Sequence, residues 1–257
     1  MTYCVGLRLN KGLVFMTDTR TNAGVDNIAK VRKMFTWHKP GERMITLMTA
    51  GNLATTQSVV SVLDERSKVP AERNPSLLEV PTMFQAARLV GETLRETIKM
   101  NSSGGQTAEA KFGATIIVGG QIKGMPPRLF LIYPEGNFIE ATEDNPFFQI
   151  GETKYGRPIL VRGFDPDMSF EQAVKLLMVS FDSTLKANLS VGLPLDFQIY
   201  RTDDYAPAHE QRVEQDDPYF QTIATEWAGA LKGAFDSLPD PEFQGGPPVT
   251  QTPGGGR

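Results

Sequence analysis

The sequence predicts an α+β fold: a four-layer αββα sandwich of two mainly antiparallel sheets lying face to face, with helices on both outer sides. Three observations predict it. The first fifty residues are a run of strands and turns, followed by two helical stretches. A second strand block, residues 112–150, is again followed by two helices. A hydrophobic fraction of 40% in 257 residues is enough to fill a sizeable core. We expect a single domain over 1–236 and a flexible Pro/Gly-rich tail over 237–257.

The elements follow in chain order. Residues 2–9 read as a strand that starts at once, and the Asn10-Lys11-Gly12 turn returns the chain into a second strand, 13–17, ending at Asp18. Residues 33–38 and 43–49 flank the turn Lys39-Pro40-Gly41-Glu42 and read as a further hairpin. Gly51 ends its second arm, and Asn52 is placed to cap a helix reaching about residue 66, with Leu53, Val59, Val60 and Leu63 at helical spacing. Prolines 70, 75 and 81 make residues 68–81 a loop, and the broad apolar stripe of 82–99 predicts a helix laid across a sheet. After an exposed loop at 101–108, strands are expected at 112–118, broken by Gly119-Gly120, then at 128–133, 138–141 and 147–150. A short helix at 155–161 is weakened by Pro158, whereas 169–187 has a serine cap and Glu171-Gln172 in its first turn. Residues 191–200 alternate as a last core strand, and 202–217 are polar and read as solvated turn until Asp217 starts a final helix to about 235. That helix carries Phe220, Ile223, Trp227, Leu231 and Phe235 on one face, which serves either its own subunit or a contact between subunits.

Composition excludes several function classes. With 26 basic and 30 acidic residues the net charge is −4, so no general field draws the chain to nucleic acid or an anionic membrane. No apolar run approaches the roughly 20 residues that span a bilayer. A single cysteine, Cys4, rules out an internal disulfide framework and fits a reducing compartment, and we expect a cytoplasmic protein. Two histidines and one cysteine give no metal-ligand spacing, and no cofactor is expected. No phosphate-binding glycine loop is present, so ATP-driven unfolding would need a separate partner ATPase.

The candidate chemistry lies at the chain start. If Met1 is removed, Thr2 holds a hydroxyl and an α-amine on one residue, and an amine of pKa roughly 8 can take the hydroxyl proton near neutral pH. Asp18 ends the hairpin partner of that strand. Lys33 is a cation within a strand-like run, and a buried lysine needs a carboxylate; its charge would lower the hydroxyl pKa while Asp18 holds it in place. Gly51, at a strand-to-helix junction, is either a tight turn or a backbone donor for an oxyanion.

The order Thr2, Thr17-Asp18-Thr19-Arg20-Thr21-Asn22-Ala23-Gly24, Val31-Arg32-Lys33 and Thr49-Ala50-Gly51-Asn52-Leu53-Ala54 resembles proteasome β-type subunits of the N-terminal nucleophile hydrolase superfamily, most of all the bacterial ancestral β-subunit branch. The resemblance covers residues 2 to about 235. It implies Thr2 as nucleophile with its amine as base, Asp18 and Lys33 as helpers, the Gly51 N–H as oxyanion donor, and Thr21, Arg32, Thr49 and Leu53 along the substrate pocket. The two-threonine start common in the family is Thr2-Tyr3 here, and two further motifs depart from it. Ile150-Gly151-Glu152-Thr153 replaces the supporting Gly-Ser-Gly segment, and Ser180-Phe181-Asp182-Ser183 with Ser190-Val191-Gly192 is a loose counterpart of a late Asp-x-x-Ser-Gly-Gly element, leaving Glu152, Asp182, Ser183 and Ser190 as supporting candidates.

The resemblance implies a threonine peptidase or amide hydrolase working through an acyl-enzyme on peptide or protein substrates, in a homo-oligomer that is a ring or an open spiral. Two alternatives stand beside it: a non-catalytic scaffold subunit, and an N-terminal nucleophile amidase for small amides.

Overall fold

The computed structural model describes residues 2–22, 28–68, 75–102 and 111–242. Its first sheet joins β1 (Tyr3–Leu9), β2 (Gly12–Asp18), β10 (Phe147–Gly151), β11 (Leu195–Arg201) and β12 (His209–Val213) in the order β10-β1-β2-β11-β12, antiparallel throughout. The second joins β5 (Met34–Lys39), β6 (Arg43–Gly51), β7 (Ala114–Ile122), β8 (Arg128–Ile132) and β9 (Phe138–Glu140) in chain order. A two-stranded ribbon of β3 (Arg20–Asn22) and β4 (Ile28–Lys30) leads from one sheet to the other.

Strand alternation builds three core layers. On β1, Tyr3, Val5 and Leu7 face outward with β2's Val14 and Met16, while Cys4 faces the other sheet with Leu13 and Phe15. On β6, Met44 and Met48 face inward to meet them, and Ile45 and Leu47 face the opposite outer layer. Helices α1 (Leu53–Lys68) and α2 (Met83–Asn101) cover the second sheet; α3 (Arg157–Gly163), α4 (Phe170–Ala187) and α5 (Pro218–Asp236) lie on the first. The result is the α+β sandwich the sequence predicts, two antiparallel sheets between helical layers.

Local chemistry sets the helix starts. Asn52 Oδ1 accepts the Thr55 N–H at 3.1 Å, Thr82 caps α2, Ser169 forms a reciprocal box with Gln172 at the start of α4, and Asp217 caps α5. Pro158 falls in the first turn of α3, where its missing N–H costs nothing.

Several boundaries differ from the sequence reading. The Gly119-Gly120 pair does not break its strand, since β7 runs on to Ile122. A Cβ on Gly119 would lie 2.7 Å from the Phe15 ring and one on Gly120 2.0 Å from the Met44 carbonyl oxygen, so here glycine admits close packing. Lys33 lies between β4 and β5, outside any strand, and the last strand of the first sheet is not β11: the polar stretch after residue 202 contains β12. Nearly all of β12 is exposed, the profile of an edge strand with charges in place of apolar alternation. Met1, most of the expected loop at 101–108 and tail residues 243–257 lie outside the described residues.

Candidate functional site

The β1–β2 register sets Cys4 opposite Thr17, which brings Asp18 to the start of β1. Asp18 Oδ1 accepts the Tyr3 N–H at 3.0 Å and the Lys33 ammonium at 2.8 Å; Asp18 is fully buried and Lys33 4% exposed. Lys33 also donates to the Arg20 carbonyl at 2.5 Å, and its own carbonyl accepts the Thr49 N–H at 3.0 Å, tying the residue to β6. Burial pushes the Asp18 carboxyl up from its ordinary value, opposed by the Lys33 charge and by the hydrogen bonds from Lys33 and Tyr3.

Thr2 is held through its carbonyl, which accepts the Glu152 N–H at 2.7 Å. Gly151 makes that contact possible. Its φ is +83°, and a Cβ there would lie 1.9 Å from the Thr2 oxygen.

A small cleft opens beside Thr2, and Thr21, Arg32, Lys33, Thr49, Gly51 and Leu53 all line it. Its volume is about 30 Å³, room for roughly one water molecule. Arg32 is exposed at the rim, with Nε donating to the Met34 carbonyl at 2.6 Å and the guanidinium 5.6 Å from the centre of the Phe35 ring. Gly51 adopts φ +116° at the end of β6, where a Cβ would lie 2.5 Å from the Gly113 oxygen. Leu53 opens α1 immediately after it.

The supporting candidates lie elsewhere. Glu152 reaches Thr2 through its backbone, while its carboxylate accepts from Asn188 Nδ2 at 2.9 Å. Asp182 pairs with Lys186 at 2.8 Å, Ser183 bonds the Val179 carbonyl within α4, and the Ser190 N–H donates to Asn188. None of the four lines the cleft. Sequence reasoning missed Phe35, Thr56 and Gln57 in the cleft wall, and Arg20 as a carbonyl partner of Lys33. Phe35 alone carried a signal, an aromatic two residues beyond Lys33. Cys4 lies close by but is sealed in: Sγ is 3.0 Å from Thr17 Oγ1, and burial pushes its thiol up to about 12. Among the described residues no group of acidic, histidine or cysteine side chains could hold a metal ion, and no helix is long and apolar enough to cross a membrane.

A family model described as "Proteasome subunit" matches residues 2–192. The chain belongs to the proteasome subunit family. Among solved members, the Anbu ancestral β-subunit from Yersinia bercovieri is 48% identical, covering 94% of this chain and 99% of its own, with a TM-score of 0.88. An Anbu Gly-1 mutant from Hyphomicrobium sp. strain MC1 is 49% identical over 95% of this chain and 100% of its own, with a TM-score of 0.89. A structure described as the helical assembly of the Anbu complex from Pseudomonas aeruginosa is 47% identical over 93% and 98%, with a TM-score of 0.86. Comparison with curated proteins gave no match. The sandwich described above is thus the N-terminal nucleophile hydrolase fold that this proteasome-family chain shares with the Anbu structures.

Proposed function

We propose that this chain is an assembling subunit of the proteasome family, built to pack with copies of itself. The observation that carries this is α5. The helix has 19 residues, only Phe220 is buried, and Tyr219, Leu231 and Phe235 stand exposed at 50%, 50% and 74%. Phe220 and Ile223 pack on the core beneath the helix and Trp227 is partly buried, but past Trp227 the apolar face stands largely open, with Leu231 on the wall of a groove shared with α3 and α4. The helical assembly of the similar Anbu complex supports the same role, a homo-oligomer that is a ring or an open spiral. Sedimentation velocity tests it. The native protein should run as a large species and the Leu231→Glu/Phe235→Glu variant as a small one, whereas a native monomer overturns the proposal.

Assembly requires no turnover. One observation nonetheless favours a second reading: the Asp18–Lys33 pair stands at the cleft that Thr2 lines. With Met1 removed, the Thr2 amine would take the hydroxyl proton and Oγ would attack a peptide carbonyl. The Lys33 ammonium would steady the developing alkoxide, and the Gly51 N–H the tetrahedral oxyanion. The amine would then pass its proton to the leaving nitrogen, and water would hydrolyse the acyl-enzyme. Arg32 on the cleft wall would favour acidic or polar groups over apolar ones. Intact-mass measurement and labelling decide between the two readings. A hydrolase loses one methionine and is labelled at Thr2 by a peptide vinyl sulfone, and Thr2→Ala abolishes the label at unchanged oligomer size. A protein that keeps Met1 and stays unlabelled is an assembly subunit alone.

A further inference from the structure

The hydrolase reading uses the first residue at the head of the strand and ignores the second, although Tyr3 makes the larger set of contacts. Tyr3 is fully buried on the outer face of its sheet, its ring centre 4.4 Å from that of Phe181 on α4. Its hydroxyl oxygen is 2.6 Å from Gln149 Nε2 and 2.7 Å from Ser180 Oγ, and Ser180 Oγ is 3.1 Å from the Gly156 carbonyl oxygen. Only one assignment of protons satisfies all three contacts. Gln149 donates to Tyr3, Tyr3 donates to Ser180, and Ser180 donates to the Gly156 carbonyl, which can only accept. Burial holds the Tyr3 hydroxyl up at about 12, so it keeps its proton across the neutral range. The surroundings are built to this hydroxyl: a Cβ on Gly156 would fall 2.2 Å from it.

Sheet pairing ends where this network begins. On the β2 side the register starts at Cys4, on the β10 side at Tyr3, and Thr2 overhangs both. The peptide joining Thr2 to Tyr3 is gripped at its N–H by Asp18 and at its carbonyl by Glu152. Backbone pairing on both edges restrains the roll of β1 only as far as Cys4 on one side and Tyr3 on the other, so the Tyr3 side chain is the remaining anchor at the strand's end. Side chains at successive positions point to opposite faces, so a roll that lifts the Tyr3 tip turns Thr2 the other way.

We infer that Tyr3 is a positioning residue for Thr2: its hydroxyl, locked between Gln149 and Ser180, sets the roll of β1 and thereby the direction in which Thr2 faces Lys33. This rests on the hydrolase reading. A displacement of about 1 Å at a reacting group costs on the order of 100-fold in rate. The roll freed by losing one hydroxyl should cost about 10- to 100-fold.

The test compares the native protein, Tyr3→Phe and Tyr3→Phe/Gln149→Leu. Labelling by a peptide vinyl sulfone is followed by intact mass, separating the maximal rate from the half-saturating concentration, with thermal melts in parallel. Tyr3→Phe should lose about 10- to 100-fold in maximal rate at an unchanged half-saturating concentration. The double variant also removes an amide left with one long bond to the Thr153 carbonyl and an Oε1 that has no hydrogen-bond partner, so it should regain melting temperature but no rate. Two results overturn the inference alone: a native rate in Tyr3→Phe, or a rate that recovers with the melting temperature. A native protein that is not labelled overturns the hydrolase reading and this inference together.

Discussion

The start of β1 and the helix α5 that lies over the same sheet are held in opposite ways. Around the start of β1, Asp18 and Tyr3 are fully buried and Lys33 nearly so, and each is tied to groups distant in sequence. On α5, the far half of the apolar face stays largely exposed, with Leu231 at 50% and Phe235 at 74%. The start of β1 is completed by contacts within the chain, whereas under the assembly proposal the open face of α5 waits for another copy. The contrast implies that damage at the first place lowers the stability of the single subunit, and damage at the second is invisible until subunits meet.

The largest expected effect is Lys33→Ala. It strands a buried carboxylate, a loss of about 3–5 kcal/mol, measured by urea unfolding near pH 7. The deficit should shrink as the medium is acidified. Burial already holds the Asp18 carboxyl above its unfolded value, and without Lys33 it rises further. A group raised in this way binds its proton more readily folded than unfolded, so stability returns as pH falls toward the unfolded value of about 3.9. An unchanged deficit at pH 4 would mean that Asp18 is not the group left alone.

Next comes Tyr3. Its hydroxyl titrates near 10 when unfolded and is raised to about 12 in the fold. The stabilising difference is present below pH 10 and is lost as pH climbs through 12. Two units correspond to about 3 kcal/mol, a slope that Tyr3→Phe should lack when the two proteins are compared by alkaline unfolding.

Smaller still, Leu231→Glu/Phe235→Glu should leave the stability of the dissociated subunit within about 0.5 kcal/mol, because these positions are exposed. A large loss would show that the tail end of α5 is internal structure after all. Finally, the native protein should resist thiol alkylation at Cys4 until unfolded, since burial holds that thiol at about 12.

What could be read from sequence follows the range of the interactions. The strand at residue two, the hairpin return to Asp18 and the lysine in need of a carboxylate are local patterns, and the structure joins Asp18 to Lys33. The glycine pair in β7 was misread because its reason lies far upstream: Phe15 and Met44 occupy the space that side chains would need. β12 was hidden because an exposed edge strand written His-Glu-Gln-Arg-Val has no alternation to find. The Tyr3 network joins residues 146 and 177 positions apart, beyond any periodicity. For α5 the sequence showed a stripe but not its cover, and the structure buries Phe220 while leaving Leu231 and Phe235 exposed.

Gln198 on β11 accepts from Thr46 at 2.5 Å and donates to Thr36 at 2.8 Å, both on the facing sheet, and Tyr200 reaches Gln121 across the same gap at 2.5 Å. These polar ties sit within an otherwise oily layer. Thr2 and Asp18 ride on one slab, while Thr49 and Gly51 ride on the other with Lys33 fastened beside them. The slabs therefore work like two halves of a mould located by dowels. A change at Gln198, which touches nothing in the cleft, would let the halves slip and misalign the cleft from behind.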